Sequence, residues 1–90
     1  MSAILELSVI PLDNNTRISR FVARTISIIK QCGLPYQLGA LSACIEGEWD
    51  QLMSVAKQCL DAASVDSKHV HVNMRMIWKE GAEKRLLEMN

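Results

Sequence analysis

At residues 45–50 the chain reads Ile45-Glu46-Gly47-Glu48-Trp49-Asp50, and no other stretch constrains the fold as tightly. An apolar run over residues 41–45 reaches a carboxylate, a glycine and a second carboxylate, and a helix-period pattern then begins. This is a strand feeding straight into a helix with almost no loop. Gly47 lets the backbone turn there without a Cβ penalty. Glu48 and Asp50 put negative charge on the first helical turn, where the macrodipole favours it. Glu46 is left at the strand end, where a ligand can meet an acidic group.

The rest of the chain falls into matching pieces. Residues 3–10 alternate Ala3, Leu5, Leu7 and Val9 with Ile4, Glu6, Ser8 and Ile10, the period of a strand. Pro11 is expected to stop it, since proline cannot donate to a central ladder. Residues 12–16 form a polar connection, with Asn15 or Thr16 as the helix cap. Over residues 17–32, Ile18, Phe21, Val22, Thr25, Ile26 and Ile29 make one apolar stripe, and Arg17, Arg20, Arg24 and Lys30 read as a solvated face. Gly33 and Pro35 follow in the usual order at a helix C-terminus. Gly39-Ala40 divides residues 36–45 into two short strands, 36–38 and 41–45, or kinks one longer strand.

A second helix is expected over residues 48–62, its inner stripe made of Trp49, Leu52, Met53, Ala56, Leu60 and Ala63, and residues 64–68 read as a turn. The last strand, residues 69–78, sets Val70, Val72, Met74, Met76 and Trp78 against His69, His71, Asn73, Arg75 and Ile77. Residues 82–89 have the pattern for a short terminal helix. The order β-α-β-β-α-β closes most simply as an α+β ferredoxin-like sandwich, a four-stranded antiparallel sheet with both helices on one face. The first and last strands are then neighbours. Ala3, Leu5, Leu7 and Val9 face the helices, and the outer face carries Glu6, Ser8, His71, Asn73 and Arg75. That face is either solvated or covered by another subunit, with Glu6 and Arg75 placed to pair across strands.

Ninety residues make one domain with a small core, and chains of this size often gain burial by oligomerising. Ten basic and ten acidic residues cancel, removing the positive field expected of a protein that grips phosphates. RNA reading on a sheet face needs exposed aromatics, and Phe21, Tyr36, Trp49 and Trp78 are not arranged for it. The apolar runs are too short to span a bilayer, and the first residues lack a signal-peptide pattern, so a cytoplasmic protein is expected. Cys32, Cys44 and Cys59 have no paired spacing and read as reduced core thiols. His69 and His71 share one side of a strand without further ligands at metal spacing. Glu46 and Glu48 would serve as an acid/base pair only within one pocket, and their place at the junction already accounts for them.

Four blocks in this order and spacing resemble a known family: Ser8-Val9-Ile10-Pro11-Leu12, Ile18-Ser19-Arg20-Phe21-Val22-Ala23, Cys32-Gly33-Leu34-Pro35-Tyr36, and Ile45-Glu46-Gly47-Glu48-Trp49-Asp50-Gln51-Leu52-Met53. They are similar to the small YkoF-like thiamine-binding proteins over most of residues 4–63. The resemblance implies a ferredoxin-like fold, association of subunits through their sheets into homodimers or homotetramers, and binding of thiamine or its hydroxymethylpyrimidine part. It implies no catalytic activity and no required cofactor. The chain departs from the family pattern at Gly39-Ala40-Leu41-Ser42-Ala43 and at Arg75-Met76-Ile77-Trp78.

The expected function is therefore non-enzymatic, oligomeric small-molecule binding. A neutral aminopyrimidine needs a flat apolar slot and a few hydrogen-bonding groups. The candidate contacts are Ser8, Ser42, Glu46 and Asn73, with Leu41 as a wall and Glu46 accepting from an exocyclic amine. The alternative is a structural or regulatory module whose open sheet face only builds the oligomer.

Overall fold

The computed structural model describes residues 2–13, 18–40 and 42–78. The expected terminal helix over residues 82–89 lies outside them, as do Leu41 and Arg17. The order is β1 (Ser2–Pro11), α1 (Ile18–Gln31), β2 (Tyr36–Leu38), β3 (Ala43–Glu48), α2 (Trp49–Asp66) and β4 (Val70–Ile77). The four strands form one antiparallel sheet in the order β2-β3-β1-β4. This is the expected ferredoxin-like arrangement, with β1 between β3 and β4. Ala3, Leu5, Leu7, Ala43 and Ile45 meet Ile29 of α1 and Leu52, Val55, Ala56 and Cys59 of α2 in a single buried core.

Pairing decides the ends of the elements. β3 begins at Ala43 rather than at residue 41 and runs through Gly47 to Glu48, because Glu46 and Gly47 pair with Ile4 and Ala3 of β1. Gly47 is therefore not a turn. A Cβ there would stand 3.1 Å from Leu34 Cδ1 and 3.1 Å from Gln51 Oε1, so the glycine makes room for packing. Gly33 has the positive φ, 79°, that ends α1. Glu48 is the N-cap of α2, and its N–H donates to Gln51 Oε1 at 2.9 Å, one arm of a capping box.

Pro11 is the last residue of β1, opposite Val70, one place beyond the expected end and in a stretch where β1 has already lost β3 as a neighbour. Its missing N–H therefore costs no ladder bond. At the other end of the chain, residues 64–66 extend α2 instead of forming a turn. Arg24 of α1 explains the added length: it forms an ion pair with Asp66 and donates to the Ala62 carbonyl at 3.3 Å, putting a cation at the helix end whose own last turn has none. Arg24 is thus an interhelical tie rather than part of a solvated face.

The helix stripes shift relative to expectation. Trp49 is 58% exposed and Leu60 40% exposed, while Val55 and Cys59 take buried places in α2. In α1, Phe21 and Ile29 are buried but Ile18 and Val22 stand open. Met74 and Trp78, expected on the inner row, are half exposed because β4 is an edge strand that the helices only partly cover. On the opposite face, Ile4 and Glu46 are buried, at 1% and 7% exposure.

Candidate functional site

β3 and β1 pair from Ser2↔Glu48 to Leu7↔Ala43 and no further, whereas β1 and β4 stay paired to Pro11↔Val70. β3 leaves because the chain reverses in a tight hairpin, in which the Gly39 N–H donates to the Ser42 carbonyl at 2.7 Å. The last four residues of β1 consequently have a strand on one side only among the described residues. α1 lies over this notch, and the space between is a cavity of about 250 Å³.

Three elements build its walls. α1 contributes Phe21, Thr25 and Ile29, and the hairpin contributes Gly39, Ala40 and Ser42. From β1 come five consecutive residues, Leu7, Ser8, Val9, Ile10 and Pro11. A strand shows only alternate residues to a space above its face. An unbroken run shows that the cavity touches the edge of β1, and so its main chain, as well as its face.

The lining is apolar. Its polar side chains are the hydroxyls of Ser8, Ser42 and Thr25, and none of the described lining residues is charged. Thr25 Oγ1 already donates to the Phe21 carbonyl at 3.1 Å. At the mouth, Ile10, Ile18, Val22 and Leu38 are between 40% and 61% exposed, an apolar rim that water solvates poorly. A cavity with these walls can hold a small, flat, uncharged ring and align it through a few hydrogen bonds.

A second, more open depression lies on the outer sheet face, bordered by Glu6, Ser8, Ser42, Asn73, Met74 and Arg75. Ser8 and Ser42 border both spaces, so the notch lies between the two faces. The fold brings three of the expected contacts together here: Ser8 is directly opposite Asn73 on β4, with Ser42 just beyond the end of the β1–β3 ladder.

Glu46 is elsewhere. It is four residues along the chain from Ser42, ~13 Å at the rise of an extended strand. Its Oε2 accepts from Ser2 Oγ at 3.3 Å, and its N–H donates to the Pro35 carbonyl at 2.9 Å. It borders neither space. Sequence reasoning passed over Val9, Pro11, Phe21, Thr25 and Ala40. A proline closing an alternating strand was the available signal of a strand end that makes no ladder bond through its N–H.

The outer face is otherwise modest in its chemistry. Glu6 and Arg75 stand opposite one another in register, yet among the described residues no ion pair joins them. Burial, and then the Glu6 carboxylate across the ladder, push the Cys44 thiol up from its ordinary value. His69 and His71 meet edge to face with ring centroids 5.5 Å apart, and the described residues contain no group of three metal-ligating side chains. None of the described helices is long and apolar enough to cross a membrane.

The chain resembles known proteins throughout its length. The profile described as "Thiamine-binding protein" matches residues 5–89. UPF0045 protein Mb1933 of Mycobacterium bovis is 28% identical over 82 residues, 90% of this chain and 80% of that protein. UPF0045 protein sll0230 of Synechocystis is 31% identical over 62 residues, 69% of this chain and 51% of that protein. Among solved structures, TM0486 of Thermotoga maritima, proposed as a thiamine biosynthesis or salvage protein, superposes with a TM-score of 0.85 at 19% identity, covering 99% of this chain and 96% of that one. A domain of unknown function from Bacillus cereus, DUF77, superposes with a TM-score of 0.84 at 22% identity, covering 98% and 86%.

Proposed function

The chain belongs to the thiamine-binding protein family, and on that premise we propose that it is a non-enzymatic binding protein whose notch cavity takes the hydroxymethylpyrimidine part of thiamine. One observation carries the choice of moiety. The 250 Å³ cavity is apolar and has no charged side chain among its described walls. A neutral pyrimidine enters such a space at little electrostatic cost. A cationic thiazolium does not, because burying an unpaired charge is expensive. In this reading whole thiamine binds with its pyrimidine inside and its thiazolium at the mouth, beside Ile18 and Val22. Ser42 and Ser8 supply hydroxyl contacts, while Glu46 and Asn73 stay outside the cavity.

We also propose that the protein acts as a homo-oligomer in the cytoplasm. Its long edge strand β4 and the exposed Trp78, Ile77 and Met74 beside it favour contact with a second copy, since open edges and apolar surface are costly left bare. The structural reading, an oligomer with no ligand, keeps this surface and discards the cavity.

Thermal-shift and calorimetric titrations with thiamine and with hydroxymethylpyrimidine separate the two. The ligand reading expects saturable stabilisation by both, abolished in Ala40→Trp, which plugs the mouth from an exposed position. Absence of any response up to millimolar ligand leaves only the structural module. Native mass spectrometry of the same samples gives the subunit count.

A further inference from the structure

The walls of the notch cavity include a hydrogen-bonding group that no side chain provides. In an antiparallel sheet the main-chain groups of successive residues point to opposite neighbours. The Leu12 N–H donates to the His69 carbonyl at 2.7 Å, continuing the β1–β4 register in which Ile10 faces His71 and Ser8 faces Asn73. Even-numbered residues of β1 thus turn their N–H and C=O towards β4. Odd-numbered residues turn theirs towards β3. The other side of the sheet agrees: the Glu46 N–H goes to Pro35 and the Gly39 N–H to Ser42, so the even-numbered residues on the β3 arm of that hairpin face β2, leaving Ala43, Ile45 and Gly47 for Leu7, Leu5 and Ala3.

Beyond Leu7 this alternation meets no described strand. The next two odd positions are Val9 and Pro11. Pro11 has no N–H to offer, which suits a position aimed at a free edge. Val9 has both groups, and it lines the cavity.

We propose that the Val9 main chain, its N–H and C=O together, is the specificity-determining contact of the cavity, and that it reads a planar heterocycle with a ring-nitrogen acceptor beside an exocyclic N–H donor. In extended backbone the N–H and C=O of one residue lie side by side and point the same way. They match an aminopyrimidine edge, acceptor to donor and donor to acceptor, as a neighbouring strand would. The ligand pairs with β1 beyond Leu7, where the ladder to β3 ends among the described residues. A buried backbone pair left unmatched is penalised, so the apolar walls that admit many rings turn against those lacking the complementary edge. This deepens the proposed function and rests on the cavity being a ligand site.

The test combines amide NMR with two analogues, 4-dimethylamino-hydroxymethylpyrimidine, which keeps the ring nitrogen but cannot donate, and the 4-desamino compound. In the free protein the Val9 amide exchanges quickly with solvent, unlike Leu7. Saturating hydroxymethylpyrimidine protects it and moves its resonance, and both analogues bind roughly tenfold or more weakly. Three results overturn the assignment while leaving the cavity a ligand site: an amide protected before ligand is added, an amide unmoved at saturation, or analogues that bind as well as the parent. Absence of binding by hydroxymethylpyrimidine itself overturns the proposed function and this inference with it.

Discussion

Asp13 clamps Ser67. One carboxylate oxygen accepts from Ser67 Oγ at 2.7 Å and the other from the Lys68 N–H at 2.9 Å. The Ser67 hydroxyl lies 3.0 Å from the His69 carbonyl and also accepts from the His69 N–H at 3.3 Å. The entry to α1 and the exit from α2 are thus tied together at the end of the sheet where, among the described residues, β1 pairs only with β4. Ser67 is only 4% exposed, so its hydroxyl has little access to water as a substitute partner.

Replacing Asp13 by alanine therefore removes two hydrogen bonds to a charged acceptor. Urea denaturation is expected to show a loss of about 2–3 kcal/mol, the scale of charged hydrogen bonds lost at a part-buried site. Asp13→Asn retains one acceptor oxygen and loses less. Equal losses in both variants would mean that the carboxylate charge, not its geometry, holds the loop.

Arg24→Ala breaks the tie between α1 and the last turn of α2. The side chains are partly exposed, 38% for Arg24 and 28% for Asp66, so the expected cost is about 0.5–1 kcal/mol. It should shrink in high salt, which screens the pair. Hydrogen exchange should speed up at residues 63–66 first. No change in exchange there would remove Arg24 as the reason the helix continues to Asp66.

Gly47→Ala tests whether this glycine serves packing or turning. The new methyl would crowd Leu34 and Gln51 at 3.1 Å, and both are side chains able to move, so a cost of about 1 kcal/mol is expected. The double variant with Leu34→Ala should lose less than the sum of the single losses. Strict additivity in that cycle would sink the packing account.

Alkaline pH should destabilise the protein through Cys59. Its side chain is wholly buried, and desolvation first, then the nearby Cys32, push its thiol up to about 11, above the ~8.5 of a free thiol. The unfolded chain therefore releases this proton at lower pH than the folded one. Unfolding is favoured progressively as pH rises from about 9 to about 11, by a total on the order of 2–3 kcal/mol. Cys59→Ala should flatten this part of the stability-against-pH curve, although it lowers stability at neutral pH through the small void it leaves.

The sequence was readable wherever a single strand or helix carries its own pattern. The alternation in β1 and β4 assigns both faces correctly, and the stop at Gly33 is a local event. It was misleading at Gly47, where residue type points to a turn. Gly47 is a strand residue opposite Ala3, set against Leu34. Ser8, Ser42 and Asn73 could be placed together because register follows from topology. The distance of Glu46 from them could not, because the last pair of the β1–β3 ladder is set by where the hairpin closes.

By itself, then, the sequence determined the order of elements, the sandwich and the inward faces of β1 and β4, since periodicity and turn chemistry are properties of short segments. The tertiary structure alone decided the notch. A cavity is made by the place where one strand stops and another continues, with a helix laid across the gap. That depends on contacts between residues far apart in the chain, such as Leu7 with Ala43 and Pro11 with Val70. The main-chain groups of Val9 have the same chemistry as those of any other residue, and only the end of the described β1–β3 ladder at Leu7 sets them beside the cavity instead of a strand.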